Sequence, residues 1–125
     1  MSKQVRKSSK APKWKEFEWL VAKIFHDEYS ELDVTVLYNA QLPSKFGKGK
    51  ERQIDVLVKH QDINTIIECK NYSSKIDIKD VESFLGMFSD TGADFGLMIS
   101  TSGFTKSAER RFEEYRGKVE HRQLD

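Results

Sequence analysis

The chain holds one cysteine, Cys69, so no internal disulfide can form, and that suits a reducing compartment. No apolar run approaches the length that spans a bilayer, and the N-terminus lacks the apolar core of a secretory signal. A cytoplasmic protein without a membrane partner or an organic cofactor is therefore expected. There is no internal repeat and no second domain. Net charge is almost absent, +1 at pH 7, so the whole molecule is no polycation. What is missing locally is acid. No Asp or Glu precedes Glu16, whereas Lys3, Arg6, Lys7, Lys10, Lys13 and Lys15 all do. The stretch from Pro43 to Arg52 carries Lys45, Lys48, Lys50 and Arg52 against Glu51 alone. Such segments can track phosphates, and they can equally be a solubilising tail and a solvated loop.

What is present is a globular composition: 125 residues, 38% hydrophobic and 33% charged, enough to bury a core without staples. Residues 1–11 read as a basic, disordered tail and 12–125 as one domain. Pro12 suits the first turn of a helix in which Trp14, Phe17, Val21, Ile24 and Phe25 share a face. A short strand follows over Asp33 to Tyr38, then the basic loop. Two apolar runs within "RQIDVLVKHQDINTIIECKNY" (Arg52 to Tyr72) form a hairpin. Asp77 can cap a second helix with Ile78, Val81, Phe84, Leu85 and Phe88 on its apolar face, ended by Thr91-Gly92. Ala93 to Ser100 reads as a strand buried on both sides. Thr105 can cap a third helix carrying Ala108, Phe112 and Tyr115, stopped by Gly117, and Val119 to Leu124 can add a last strand. The order αβββαβα(β) predicts an α/β (α+β) fold, a mixed central β-sheet flanked by helices, with an antiparallel meander followed by a parallel crossover strand.

The hairpin carries charge inside its apolar runs. A turn at Gln61 to Asn64, or its inner pair Asp62-Ile63, pairs His60 with Thr65, Leu57 with Glu68 and Asp55 with Lys70. Asp55, Glu68 and Lys70 then project from one face, and Ile54, Val56, Val58, Ile67 and Cys69 from the other. Two carboxylates that close repel unless a cation intervenes. Lys70 supplies one positive charge, and a hard divalent ion such as Mg²⁺ supplies more, bound through one or two carboxylates, water and substrate phosphate. Those are the parts for phosphodiester hydrolysis. The competing reading is a cross-strand Asp55–Lys70 salt bridge with Glu68 as a rim acid, a pair worth only about 0.2–1 kcal/mol when exposed. Glu18 lies at the edge of the first helix's apolar stripe. A carboxylate there either has a partner or a job, or it snorkels out to water.

Asp55, a gap of twelve residues, then Glu68-Cys69-Lys70 resembles the PD-(D/E)XK nuclease signature. "FEWLVAKIF" resembles the first-helix motif of the Mrr-like restriction endonuclease family, with Glu18 at its acid. "IIECKNY" resembles that family's acid-and-lysine strand, and "GLMISTSGFTKSAERRF" its strand-turn-helix ending. The resemblance spans Trp14 to Tyr115. It implies a restriction-endonuclease-like sheet and Mg²⁺- or Mn²⁺-dependent cleavage of DNA. It also implies metal ligation by Asp55, Glu68 and the Cys69 backbone carbonyl, a catalytic Lys70 and an accessory Glu18. Members of the family often join this domain to a separate recognition or motor domain, and only the basic tail answers to one here.

Lys45, Lys48, Lys50 and Arg52, with Lys75 after the site strand, are candidates to grip the phosphate backbone. Thr101, Ser102 and Thr105 can offer hydroxyls or N–H groups to phosphate at a helix N-terminus, or simply cap it. His26, His60 and His121 lack metal-ligand spacing. Trp19 lies off the apolar stripe and is the aromatic expected on a partner surface. Cys69 is expected to be buried, facing away from the acids. A domain this small covers little DNA, so a homodimer is expected if duplex is cut. Two other functions fit the same residues: a structure-specific nuclease such as a Holliday-junction resolvase, and a non-catalytic DNA-binding subunit.

Overall fold

The computed structural model describes residues 13–28, 34–44 and 51–124. The expected tail and Lys45, Lys48 and Lys50 lie outside the described residues. Helix α1 (Lys13–Glu28) leads into strands β1 (Val34–Leu42), β2 (Arg52–His60) and β3 (Ile63–Lys70). Helix α2 (Ile78–Thr91), strand β4 (Phe95–Ser100), helix α3 (Lys106–Glu113) and strand β5 (Val119–Gln123) complete the order. The five strands form one sheet, β1-β2-β3-β4-β5. β1, β2 and β3 run antiparallel, and β4 and β5 continue parallel to β3. This is the mixed, helix-flanked fold that the order of elements predicts, last strand included.

Local chemistry fixes the boundaries. Asp77 has extended backbone and accepts from the Ile78 N–H at 2.8 Å, capping α2. Gly92, at φ 68°, ends that helix in the left-handed region where a side chain would be strained. Thr105 Oγ1 accepts from the Ala108 N–H at 3.2 Å and donates to Asp77 Oδ1 at 3.1 Å, so one hydroxyl ties the starts of α2 and α3 together. Thr105→Ala is expected to lower unfolding stability by about 1 kcal/mol, as loss of such a cap does. A urea titration showing no change in midpoint would contradict that role.

Helices pack on both faces of the sheet. On one, Phe17, Val21, Ala22 and Phe25 of α1 pack on Val36, Val56, Val58, Ile67, Cys69, Leu97 and Ile99. On the other, Val81, Phe84, Leu85 and Phe88 of α2 and Ala108 and Phe112 of α3 cover Leu57, Ile66 and Met98. Gly96 lets α2 approach β4: a Cβ there would sit 3.2 Å from the Phe84 and Phe88 rings. Burial on both sides explains why β3 and β4 carry near-continuous apolar runs.

The hairpin departs from the expected register. Its turn is the two residues Gln61-Asp62, with Gln61 at φ 56°, so His60 pairs with Ile63, Leu57 with Ile66 and Val56 with Ile67. The expected pairs His60–Thr65, Leu57–Glu68 and Asp55–Lys70 are therefore each two residues out. An even shift keeps every side chain on its face. The next step in the observed register sets Asp55 beside Glu68 instead of Lys70. The expected split into one apolar and one charged face also gives way. Leu57 and Ile66 on the supposed charged face are core, and Ile54 packs with them, away from Val56. The reason is α2, which covers that face.

Smaller differences follow from packing. β1 is longer than expected. Ile24 and Ile78 are exposed, while Ala22 and Met87 take the buried positions. Trp19 is half-buried and its indole nitrogen is covered, so it is no open aromatic platform. The α3 helix ends at Glu113, and Gly117, at φ 89°, makes the following turn.

Candidate active site

The charged residues collect where β2 and β3 part. Their ladder stops at Val56–Ile67, and beyond it the Cys69 N–H turns to a side chain, donating to Asp55 Oδ2 at 2.9 Å. That bond pins the Asp55 carboxylate against β3. Glu68 and Lys70 follow on β3, with Lys70 Nζ 3.8 Å from Glu68 Oε2. From the α1 side comes Glu18, 6% exposed and, among the described residues, one of two buried polar ones. It does not snorkel. Its Oε1 is buried and makes no hydrogen bond, with Lys15 Nζ 3.8 Å away. A buried carboxylate oxygen held only by a distant charge is costly, and it is one that a cation or an ordered water would satisfy.

The electrostatics agree with crowded acids. Burial, then the Asp55 carboxylate, pushes Glu18 up to about 7, with Glu68 adding and Lys15 and Lys70 opposing. Burial likewise lifts Glu68 to about 7, opposed by Lys70 and reinforced by Asp55 and Asp80. Asp55 is raised by burial despite the Cys69 N–H, Lys70 and Lys15. Burial acts to lower Lys70, but Glu68 and a hydrogen bond with Tyr72 outweigh it, so its pKa is raised and it is an ammonium. The Tyr72 ring lies 5.4 Å from that ammonium. Tyr38, on β1 opposite Val56, is pushed up to about 12 by burial and by Glu18 and Asp55, and its hydroxyl donates to the Lys15 carbonyl at 3.2 Å.

Of the residues singled out in the sequence, Glu18, Asp55, Glu68 and Lys70 thus come together at one end of the sheet. Cys69 is buried as expected, but it lies in the α1-side core, the side from which Glu18 comes, and does not face away from the acids. Arg52 pairs with Asp90, Nη1 3.1 Å from Oδ2, while its charge still acts on Glu68, and Ser44 donates to the other oxygen of Asp90 at 3.0 Å. Asp90 therefore holds the residues on both sides of the basic stretch. Thr101 donates to Asn71 at 3.1 Å, Ser102 to the Ser74 carbonyl, and Thr105 caps α3. These hydroxyls are bound within the protein, where they brace the segment that follows Lys70. Lys75 is exposed. His121 stacks on Phe112 and meets Phe104 edge-on, away from the acids.

Sequence reasoning missed Lys15, Tyr38 and Tyr72 as neighbours of the acids. Lys15 could have been found, because it lies one helical turn before Glu18. Tyr38 gave no such signal, since its approach depends on strand pairing.

The donor set fits a hard divalent ion. Among the described residues no three His, Cys, Asp or Glu side chains form a preformed cage. Mg²⁺ does not need one, because it keeps several waters and uses one or two carboxylates together with substrate phosphate. Repelling carboxylates with raised pKa values and an unsatisfied buried oxygen are what such an ion relieves.

The family model described as restriction endonuclease, Mrr_cat, matches residues 10–120. No curated protein matches the chain. A crystal structure of a protein of unknown function, AF1548, superposes with a TM-score of 0.68 at 16% identity, over 86% of this chain and 57% of that one. The DNA modification-dependent restriction endonuclease AspBHI is similar at a TM-score of 0.48 and 13% identity, over 97% of this chain and 37% of that one. The chain thus spans little more than half the length of the first and about a third of the second.

Proposed function

The chain belongs to the Mrr_cat family of restriction endonucleases, and on that premise we propose that it is a divalent-metal-dependent endodeoxyribonuclease whose catalytic domain runs over 12–125. The observation that carries this reading is the cluster of a buried Glu18 with the half-buried Asp55 and Glu68, all three raised in pKa, beside a charged Lys70.

Asp55, Glu68 and the Cys69 carbonyl would hold Mg²⁺ or Mn²⁺. When bound, the ion lowers the pKa of a water and neutralises charge on the phosphate. The chain's own residues do the rest. The Cys69 N–H keeps the Asp55 carboxylate pinned against β3. Tyr72 and Glu68 hold the Lys70 ammonium, which orients the attacking water and donates to a phosphate oxygen as charge grows there. Glu18 accepts a hydrogen bond from a water in the site through its unbonded oxygen. The water oxygen bonds to phosphorus, the phosphorus–oxygen bond to one nucleotide breaks, and the departing oxygen takes up a proton. Duplex cleavage needs both strands cut, so two copies acting as a homodimer complete the proposal.

The described residues also shape two clefts, of about 350 Å³ between α3 and β5 and about 270 Å³ around Phe25, Ile63 and Phe95, and no acid of the cluster lines either.

Supercoiled plasmid incubated with the protein and Mg²⁺ or Mn²⁺ is expected to become nicked and then linear, and EDTA is expected to stop it. A panel of linear, branched and methylated DNA that stays intact in both metals would remove the nuclease proposal and leave a binding subunit.

A further inference from the structure

Strand β1 holds a backbone conformation foreign to a strand. Asn39 sits at φ 58° inside Val34–Leu42, in the left-handed region that L side chains adopt at a cost. Among the described residues the other non-glycine there, Gln61, belongs to the hairpin turn. Tyr38 pairs with Val56 and Ala40 with Ile54, so Asn39 stands opposite Asp55. The register is the same on both sides, and no residue is inserted. What changes is the face. Val36 and Tyr38 pack on the α1 side, whereas Ala40 and Leu42 pack on the α2 side. β2 switches at the same level, from Val56 and Val58 on the α1 side to Ile54 on the α2 side. In a regular strand, residues two apart share a face. Both strands therefore turn over together, at Asn39 in one and Asp55 in the other. The β2–β3 ladder stops at that level, and the Cys69 N–H donates to Asp55 Oδ2 at 2.9 Å.

We propose that Asn39 is a positioning residue for the candidate metal site. Its left-handed backbone turns β1 over, β2 follows, and the Asp55 carboxylate is delivered to β3 beside Glu68, where the nuclease reading above needs it. Asparagine suits the place because it enters the left-handed region more readily than most residues with a side chain. Its Oδ1 accepts from Gln53 Nε2, two residues before Asp55, which ties the turned part of β1 to β2. The side chains of Asn39 and Gln53 are exposed, so neither is there to fill the core. Backbone strain of this kind is kept where a site uses it.

The test compares wild type with Asn39→Gly, which keeps the left-handed region open, and Asn39→Val, which closes it. One readout is Mn²⁺ affinity by titration calorimetry. The other is hydrogen exchange at the Cys69 amide of the metal-free protein, set against the other amides of β3. Asn39→Gly is expected to match wild type in both. Asn39→Val is expected to weaken Mn²⁺ binding about 10–100-fold, as loss of a group that orients a metal ligand does. It should also speed exchange at Cys69 more than elsewhere in β3, because the bond to Asp55 is lost. A merely structural residue would speed those amides together, through global stability. Wild-type Mn²⁺ affinity in Asn39→Val, or exchange at Cys69 that rises no more than that of its neighbours, would overturn the role of Asn39 and leave the nuclease reading standing. Wild type that binds no Mn²⁺ would overturn both. If Asn39→Val fails to fold, Asn39→Ala takes its place, and equal Mn²⁺ affinity in Asn39→Ala and Asn39→Gly would also overturn it.

Discussion

Asp55→Asn is expected to cleave DNA about 10³-fold more slowly than wild type while folding at least as stably. The activity loss follows from position. Asp55 is the carboxylate pinned to β3 by the Cys69 N–H, beside Glu68, and it is assigned to the metal. Metal-borne charge stabilisation is worth several kcal/mol, and each 1.36 kcal/mol is a factor of ten in rate. The stability gain follows from burial. An Asn oxygen can still accept from the Cys69 N–H, while the charge that burial penalises is gone. Lys70→Met should lose about 10²–10³-fold, the usual cost of removing one donor to a transition-state charge. Unlike Asp55→Asn it should also destabilise the metal-free protein, because Glu68 loses its counter-charge. Plasmid-cleavage rates paired with urea midpoints read both. If Asp55→Asn cuts at the wild-type rate, the assignment of the metal site is wrong. If instead it is strongly destabilised, Asp55 is a structural acid.

These expectations rest partly on what the sequence made legible and partly on what it did not. Helix caps at Asp77 and Thr105 and the stop at Gly92 were readable because each is a local event: one side chain, one N–H, one allowed φ. The antiparallel meander and the parallel crossover followed from connection rules, but which strand the crossover would join did not. The register was two residues out, yet the observed one still brings Asp55 next to Glu68, one step past the last ladder pair, while the alternation itself breaks at Ile54, which faces away from Val56. What failed was tertiary. Nothing local in Leu57 or Ile66 says that α2 will cover their face, and nothing in Ile54 says that β2 will deliver it to that side. Glu18 could be placed at the edge of a stripe but not declared buried, since that depends on where α1 meets the end of the sheet. Arg52 read as a free phosphate contact because its partner Asp90 is 38 residues away. Lys15 was absorbed into a run of basic residues most of whose earlier members lie outside the described residues. Composition sees the run, and only the helix phase separates its last member.

The metal-free protein should become less stable as pH rises from about 5 to 8, the reverse of the usual acid-side behaviour. Glu18 and Glu68 stand near 4.5 in the unfolded chain and at about 7 in the folded one. Between those values the folded state holds more protons than the unfolded state, so stability falls as pH climbs through the window. It is fully present below 4.5 and gone above 7. One carboxyl moved that far corresponds to about 3 kcal/mol, and because the two acids and Asp55 titrate as a coupled set, a total of that order is expected. Asp77, lowered by its capping bonds to Ile78 and Thr105, acts in the opposite sense but only below its ordinary 3.8, outside this window. Glu68→Gln should flatten the profile and raise the urea midpoint at pH 8. Divalent metal should do the same for wild type, because an ion that binds only the folded state at a hundred times its Kd adds about 2.7 kcal/mol. At pH 5 protons compete for the same oxygens, and Mn²⁺ should then add little. Urea midpoints at pH 5, 6.5 and 8, with and without Mn²⁺, separate the cases. Stability that is flat or rising across the range in metal-free wild type, and unmoved by Glu68→Gln, would mean that the acids are solvated and carry no stored repulsion for a metal to relieve. A falling profile that Mn²⁺ fails to correct at pH 8 would keep the buried cluster and remove the metal from it.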